Sequence, residues 1–141
     1  MISDNLIYDL LYSPSRRNHV FFTPPINIQS LDVGHLVSTF ISQNDDQSSL
    51  PLKVIEFLDR EFYGEKRVLI LDNPGILLEP QLQINFPMLL ERYSRSQVLI
   101  IQWPGEIALP WIFFLSKTDG VSIDVSSVNP QLLPSHLAHE I

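Results

Sequence analysis

The 141-residue chain contains no cysteine, which removes disulfides, thiolate nucleophiles and cysteine-ligated metals from consideration. It has five glycines, and the first after the N-terminus, Gly34, is followed by none until Gly64. A phosphate-binding loop needs glycines whose N–H groups cradle phosphate, a Lys for the β- and γ-phosphates and a Ser or Thr for magnesium. The first lysine is Lys53, and no Gly-x-x-x-x-Gly-Lys-Ser/Thr pattern occurs. Positive charge is also scarce: nine Lys and Arg face sixteen Asp and Glu, for a net charge of −7. Nucleic-acid binding through phosphates uses a basic face, so no direct nucleic-acid contact is expected. An acidic balance suits solubility, a basic partner or DNA mimicry. The scatter of the carboxylates, adjacent only at Asp45-Asp46, speaks against mimicry. No apolar run reaches the length of a membrane span, and Asp4 and Asp9 interrupt the N-terminal apolar residues where a signal peptide would have none. A cytoplasmic protein fits these absences.

What is present is apolar material: 45% hydrophobic residues and only 18% charged. That composition builds a core rather than a disordered chain, and the length suits one domain. A single α/β domain is expected over 1–130, followed by a loosely ordered tail over 131–141 that carries Pro134, His136 and His139. Residues 3–12 have helical spacing, with Ser3 as a cap. His19 to Thr23 is rich in Val and Phe and predicts a strand. Thr23-Pro24-Pro25 interrupts ladder donation, and Ile26 to Ile28 predicts a second short extended piece. Helices are expected over 31–41, 50–63 and 82–93, with Pro87 delaying the start of the last. Val68 to Leu71 and Val98 to Ile101 are apolar throughout, as strands covered on both faces are. Trp111 to Leu115 and Val121 to Val125 pattern as an antiparallel hairpin around Lys117 to Gly120. Alternating helices and apolar strands from 26 to 102 imply a three-layer α/β fold, with a mainly parallel sheet flanked by helices.

Ligands of such sheets bind at the carboxyl ends of the strands, so Asp72 and Gln102 are expected to share one edge. An acidic strand-end residue is also what holds nucleotide-bound magnesium in a Walker B site. Set against this, Asp72-Asn73-Pro74-Gly75 is strong turn chemistry, and without a phosphate loop the turn role carries more weight. Glu79 fits a solvated helix entry. Arg92 fits a salt bridge or a helix C-terminal charge. Trp103 and Trp111 fit either interface anchors or core packing. Trp-Ile-Phe-Phe-Leu at 111–115 would need a partner or cover if it lay on a sheet edge. The four histidines form no metal-ligand pattern, and no Gly-x-Ser-x-Gly supports a serine nucleophile.

Leu-Ile-Leu-Asp-Asn-Pro-Gly-Ile-Leu-Leu-Glu-Pro at 69–80, Ser94-Arg95 and Trp103-Pro104-Gly105 resemble the BrxF family. Its members are the small P-loop ATPase-like components of some bacterial BREX bacteriophage-exclusion systems. The resemblance covers roughly residues 66–106 best. It implies a P-loop NTPase-like core, with Asp72 at the Walker B position followed by Asn73. It also implies Arg95 where such proteins place a sensor or a trans-acting finger. The chain departs from the family upstream, where the phosphate loop and its helix look deleted between residues 23 and 26. The expectation is therefore a degenerate P-loop domain that is not an autonomous enzyme and carries no cofactor or metal. It would be an accessory or regulatory subunit of an antiviral defence complex, with Arg95, Trp103, Trp111 and Phe113 as partner contacts. Its partners would be other protein subunits, such as an ATPase or a DNA-modifying component, or further copies of itself. The alternative expectation is a nucleotide-binding subunit, with Asp72 and Asn73 contributing to a site shared with a partner and Arg95 acting in trans.

Overall fold

A computed structural model describes residues 19–44, 48–62, 68–114 and 120–134. Its main feature is a five-stranded, wholly parallel sheet. In chain order its strands are β1 (Val20–Thr23), β2 (Leu31–Asp32), β3 (Val68–Asp72), β4 (Val98–Gln102) and β8 (Gln131–Leu132), arranged β2-β3-β4-β1-β8. Three further strands, β5 (Glu106–Ala108), β6 (Trp111–Phe114) and β7 (Val121–Asp124), form a separate antiparallel sheet in that order. The helices are α1 (Val33–Ser42), α2 (Leu50–Phe62) and α3 (Phe86–Tyr93). The α/β architecture, the parallel sheet and its flanking helices agree with the sequence pattern. The helix expected over 3–12 lies outside the described residues, as do residues 115–119, which hold most of the turn expected over 117–120, and residues 135–141.

Burial explains the layout. β4 is buried at every position, as its Val-Leu-Ile-Ile-Gln sequence requires of a central strand. β3 alternates instead, with Leu69 and Leu71 buried and Val68 and Ile70 half-buried. Val20, Phe22, Leu69, Leu71, Leu99 and Ile101 share one core with Val37 of α1, Leu58 and Phe62 of α2, and Leu90 and Tyr93 of α3. Phe40 and Phe57 stack at 4.4 Å and join α1 to α2. Asp32 caps α1 by accepting from the His35 N–H at 2.9 Å. α3 starts at Phe86 rather than 82, because Asn85 caps it and Pro87 occupies its first turn. Between β3 and α3 the chain makes two short 3-10 helices, Pro74–Leu78 and Pro80–Leu82.

Several expectations need correction. Ile26 to Ile28 is not a strand. β1 and β2 are not neighbours, since β4 and β3 lie between them, so the 24–30 segment crosses the sheet's edge instead of linking adjacent strands. β6 is the centre of the antiparallel sheet, not an edge, because β5 covers its second side. The chain from 131 begins not as a loose tail but as a strand: Phe21 and Phe22 pair with Gln131 and Leu132, and Leu133 is buried.

Trp103 joins the two sheets. It is fully buried, with its ring 6.2 Å from Phe22, 5.8 Å from Phe86 and 6.1 Å from Phe114. Its indole N–H donates to the Phe113 carbonyl of β6 at 3.0 Å, so the polar atom of a buried tryptophan is satisfied. The 3-10 turn approaches the same sheet closely: a Cβ on Gly75 would lie 2.7 Å from the Phe114 ring.

Candidate functional site

Parallel pairing brings Asp72, at the end of β3, and Gln102, at the end of β4, to one edge of the large sheet. This is the edge where ligands of parallel sheets bind. Here the 24–30 segment lies across it. The Ile26 N–H donates to Gln102 Oε1 at 2.8 Å. Gln102 Nε2 donates to Ser30 Oγ at 3.1 Å, and the Ser30 hydroxyl donates to Asp72 Oδ2 at 2.8 Å. One strap thus ties β1, β4 and β3 together through side chains and then pairs as β2 beside Leu71 and Asp72. Asp72 Oδ1 is buried and has no hydrogen-bond partner among the described residues.

A second polar knot sits beside it. Asn73 takes a left-handed conformation with φ 51°, which asparagine tolerates better than most residues. Its amide donates to Asp32 Oδ1 at 2.9 Å, and its carbonyl accepts from the Gly34 N–H at 3.0 Å. The His35 N–H, then the Asn73 amide, hold the Asp32 carboxyl below its usual range. A Cβ on Gly34 would run into the Asn73 side-chain amide, so this glycine is required by close approach. Asn73 therefore acts as a turn former locked to α1 through its side-chain N–H and its backbone carbonyl.

Arg95 is placed elsewhere. It precedes β4, at the amino-terminal end of the strands, whereas Asp72 stands at the carboxyl end. Along a strand the rise is about 3.3 Å per residue, so roughly 15 Å of sheet separates the two ends. The Arg95 side chain is 70% exposed and, among the described residues, its ion pair is with Glu91 at 3.8 Å, a contact that contributes little in water. Arg95 also borders a cavity of about 310 Å³ with Ile55, Ile84, Met88, Leu89 and Arg92. Within one chain Asp72 and Arg95 cannot meet; only a head-to-tail assembly would join them. Arg92 is the salt-bridge residue expected, forking onto Asp59 at 3.0 and 2.7 Å, while the Tyr93 hydroxyl donates to the same carboxylate at 2.7 Å.

Of the four proposed contact residues, Trp103 is buried and drops out as a surface anchor. Trp111 is 43% exposed, Phe113 is half-buried, and both lie on β6. Sequence reasoning missed Ser30 and Asp32. The Ser-Leu-Asp that precedes α1 carries a capping signal for Asp32, but no local pattern pairs Ser30 with Asp72. Among the described residues, no group of three or more His, Asp or Glu side chains is placed to hold a metal ion, and no helix is long and apolar enough to cross a membrane. Compared with protein-family models, curated proteins and solved structures, the chain matches none.

Proposed function

We propose that this chain is a non-catalytic accessory or regulatory subunit of a bacterial anti-phage defence complex. It is built on a degenerate P-loop NTPase-like sheet and acts through protein–protein contacts. The observation that carries the reading is the strap. In a P-loop protein the loop after the first strand cradles phosphate near the acidic residue that ends a neighbouring strand. Here the segment leaving β1 crosses that edge and spends its polar groups on Gln102 and Asp72. β1 and β3 lie two positions apart with β4 between them, which supports reading Asp72 as a Walker B-like residue over which the chain itself is folded. The defence context rests on the BrxF resemblance over residues 66–106. Binding through contacts is supported by the exposed Trp111 and Arg95, residue types that dominate interface energetics.

A second reading has one observation in its favour: Asp72 Oδ1, buried and without a hydrogen-bond partner among the described residues. If the strap lifts, Asp72 would face a nucleotide held by a partner's phosphate loop, with Arg95 of another copy as the trans-acting arginine. An Asp72→Ala change that abolishes nucleotide-dependent assembly would favour it.

The test is affinity purification of the tagged chain from its native host, followed by mass spectrometry. The reading predicts a stoichiometric defence component, an ATPase or a DNA-modifying enzyme, that remains bound to the Asp72→Ala variant. A chain recovered without any partner contradicts it.

A further inference from the structure

The antiparallel sheet has one face toward the core and one toward solvent. Directly opposed residues share a side, and alternate residues share a face. The register therefore sets Glu106, Ala108, Trp111, Phe113, Ser122 and Asp124 on one face. Ile107, Ile112, Phe114 and Ile123 lie on the other and pack into the core. On the open face Trp111 occupies the central strand, opposite Ala108 on one side and Asp124 on the other. Ala108 presents only a methyl group. The short Asp124 side chain is anchored at its Oδ1 by the Ser126 N–H at 2.9 Å. That hydrogen bond holds the Asp124 carboxyl below its usual range, so it is ionised at neutral pH. An indole on a rigid strand thus stands beside a fixed carboxylate.

We propose that this face receives an arginine side chain from a protein partner, its guanidinium stacked on the Trp111 indole and paired with the Asp124 carboxylate. Guanidinium is the cation that both stacks on aromatic rings and forks onto carboxylates, and tryptophan is the strongest aromatic acceptor of a cation. The net charge of −7 favours the approach of a basic segment and opposes nucleic acid. Phe113 lies two residues along on the same face and is half-buried. The inference deepens the interaction reading and rests on it for the partner's being a protein.

The test uses the full isotope-labelled chain and a blocked Gly-Arg-Gly-Arg-Gly peptide, with lysine and citrulline versions as controls. The two indole N–H resonances report separately, Trp111 on the face and Trp103 in the core. The expected result is a saturable shift of the Trp111 indole and of the Ala108 and Asp124 amides, with Trp103 unmoved. Trp111→Ala and Asp124→Asn should each weaken binding about fivefold, and citrulline should abolish it. Unchanged affinity in Trp111→Ala, equal binding of citrulline, or lysine binding as well as arginine would overturn the proposal. Peptide binding that ignores Trp111 while a partner still co-purifies would sink this face and leave the proposed function standing. Binding as described with no co-purifying partner would do the reverse.

Discussion

Asp72 and Asp124 each end a strand, one in the parallel sheet and one in the antiparallel sheet, and their surroundings are opposite. Asp72 lies under the 24–30 strap, accepts the Ser30 hydroxyl and shares that serine with Gln102. Asp124 lies in the open beside an exposed tryptophan. A strand-end carboxylate at the ligand edge of a parallel sheet looks like the functional one of the two. Here the strap covers the Asp72 carboxylate and leaves that of Asp124 open, because what crosses a carboxylate decides whether it is available. The two tryptophans teach the same lesson: Trp103 links the sheets from within, while Trp111 faces outward.

The largest effect should separate those tryptophans. Trp103→Ala removes a buried indole at the junction of both sheets and should cost about 3–5 kcal/mol, read by urea denaturation. Trp111→Ala should stay within about 0.5 kcal/mol. Similar losses for both would break the contrast between core and surface.

Next comes the knot beside Asp72. Gly34→Ala drives a Cβ into the Asn73 amide and should cost about 1–3 kcal/mol. Asn73→Gly in the same chain should restore part of that loss, because it removes the clashing atoms and suits the left-handed backbone. Full additivity of the two changes would show that the clash is not the cause.

Smaller again is the strap itself. Asp72→Ala and Ser30→Ala each break the same hydrogen bond and should cost about 1–2 kcal/mol apiece. Their combination should cost less than the sum, since the second change removes a bond already lost. Additive losses would mean that Ser30 and Asp72 act independently and that the strap is not tied down through them.

The smallest effect is a pH dependence. Burial pulls the Asp59 carboxyl upward, but hydrogen bonds from Arg92 and Tyr93 and the Arg92 charge outweigh it and leave it below its usual range. A carboxyl depressed on folding stabilises above its unfolded pKa, and the contribution is lost as pH falls through the lower, folded value. It should therefore be intact at neutral pH and fade below about pH 4. The Arg92 partner is half-exposed, so solvent screening limits the contribution to about 1 kcal/mol or less. Asp59→Asn should flatten that part of the stability profile; a profile unchanged in the acid range would assign it to other carboxylates.

Much of the framework was legible in the residues. Val68 to Leu71 and Val98 to Ile101 are apolar throughout and both are strands, though only β4 is buried on both faces while β3 keeps one half-buried face, and the stop signals at Asn73-Pro74-Gly75 and Trp103-Pro104-Gly105 fall where β3 and β4 end. The polar alternation of Val121 to Asp124 marks a strand, which is exposed except at half-buried Ile123. The short strands were not legible. Leu31–Asp32, Glu106–Ala108 and Gln131–Leu132 have two or three residues each, too few for a period, and their pairing is set by the neighbouring strands. The strap was hidden for a related reason: Ser30 and Asp72 lie far apart in the chain, and only the folded sheet brings them together. In Trp111 to Phe114 the unbroken apolar run conceals which residues face out; the register with β7 reveals it.

The most direct test of the closed edge is a calorimetric titration of the purified chain with magnesium-ATP, run beside Asp72→Ala and Ser30→Ala. With the strap seated on Asp72 and Gln102, no binding heat is expected from the wild-type chain at millimolar nucleotide. Saturable binding by the wild-type chain that disappears in Asp72→Ala would contradict the account and make the Asp72 edge a nucleotide site.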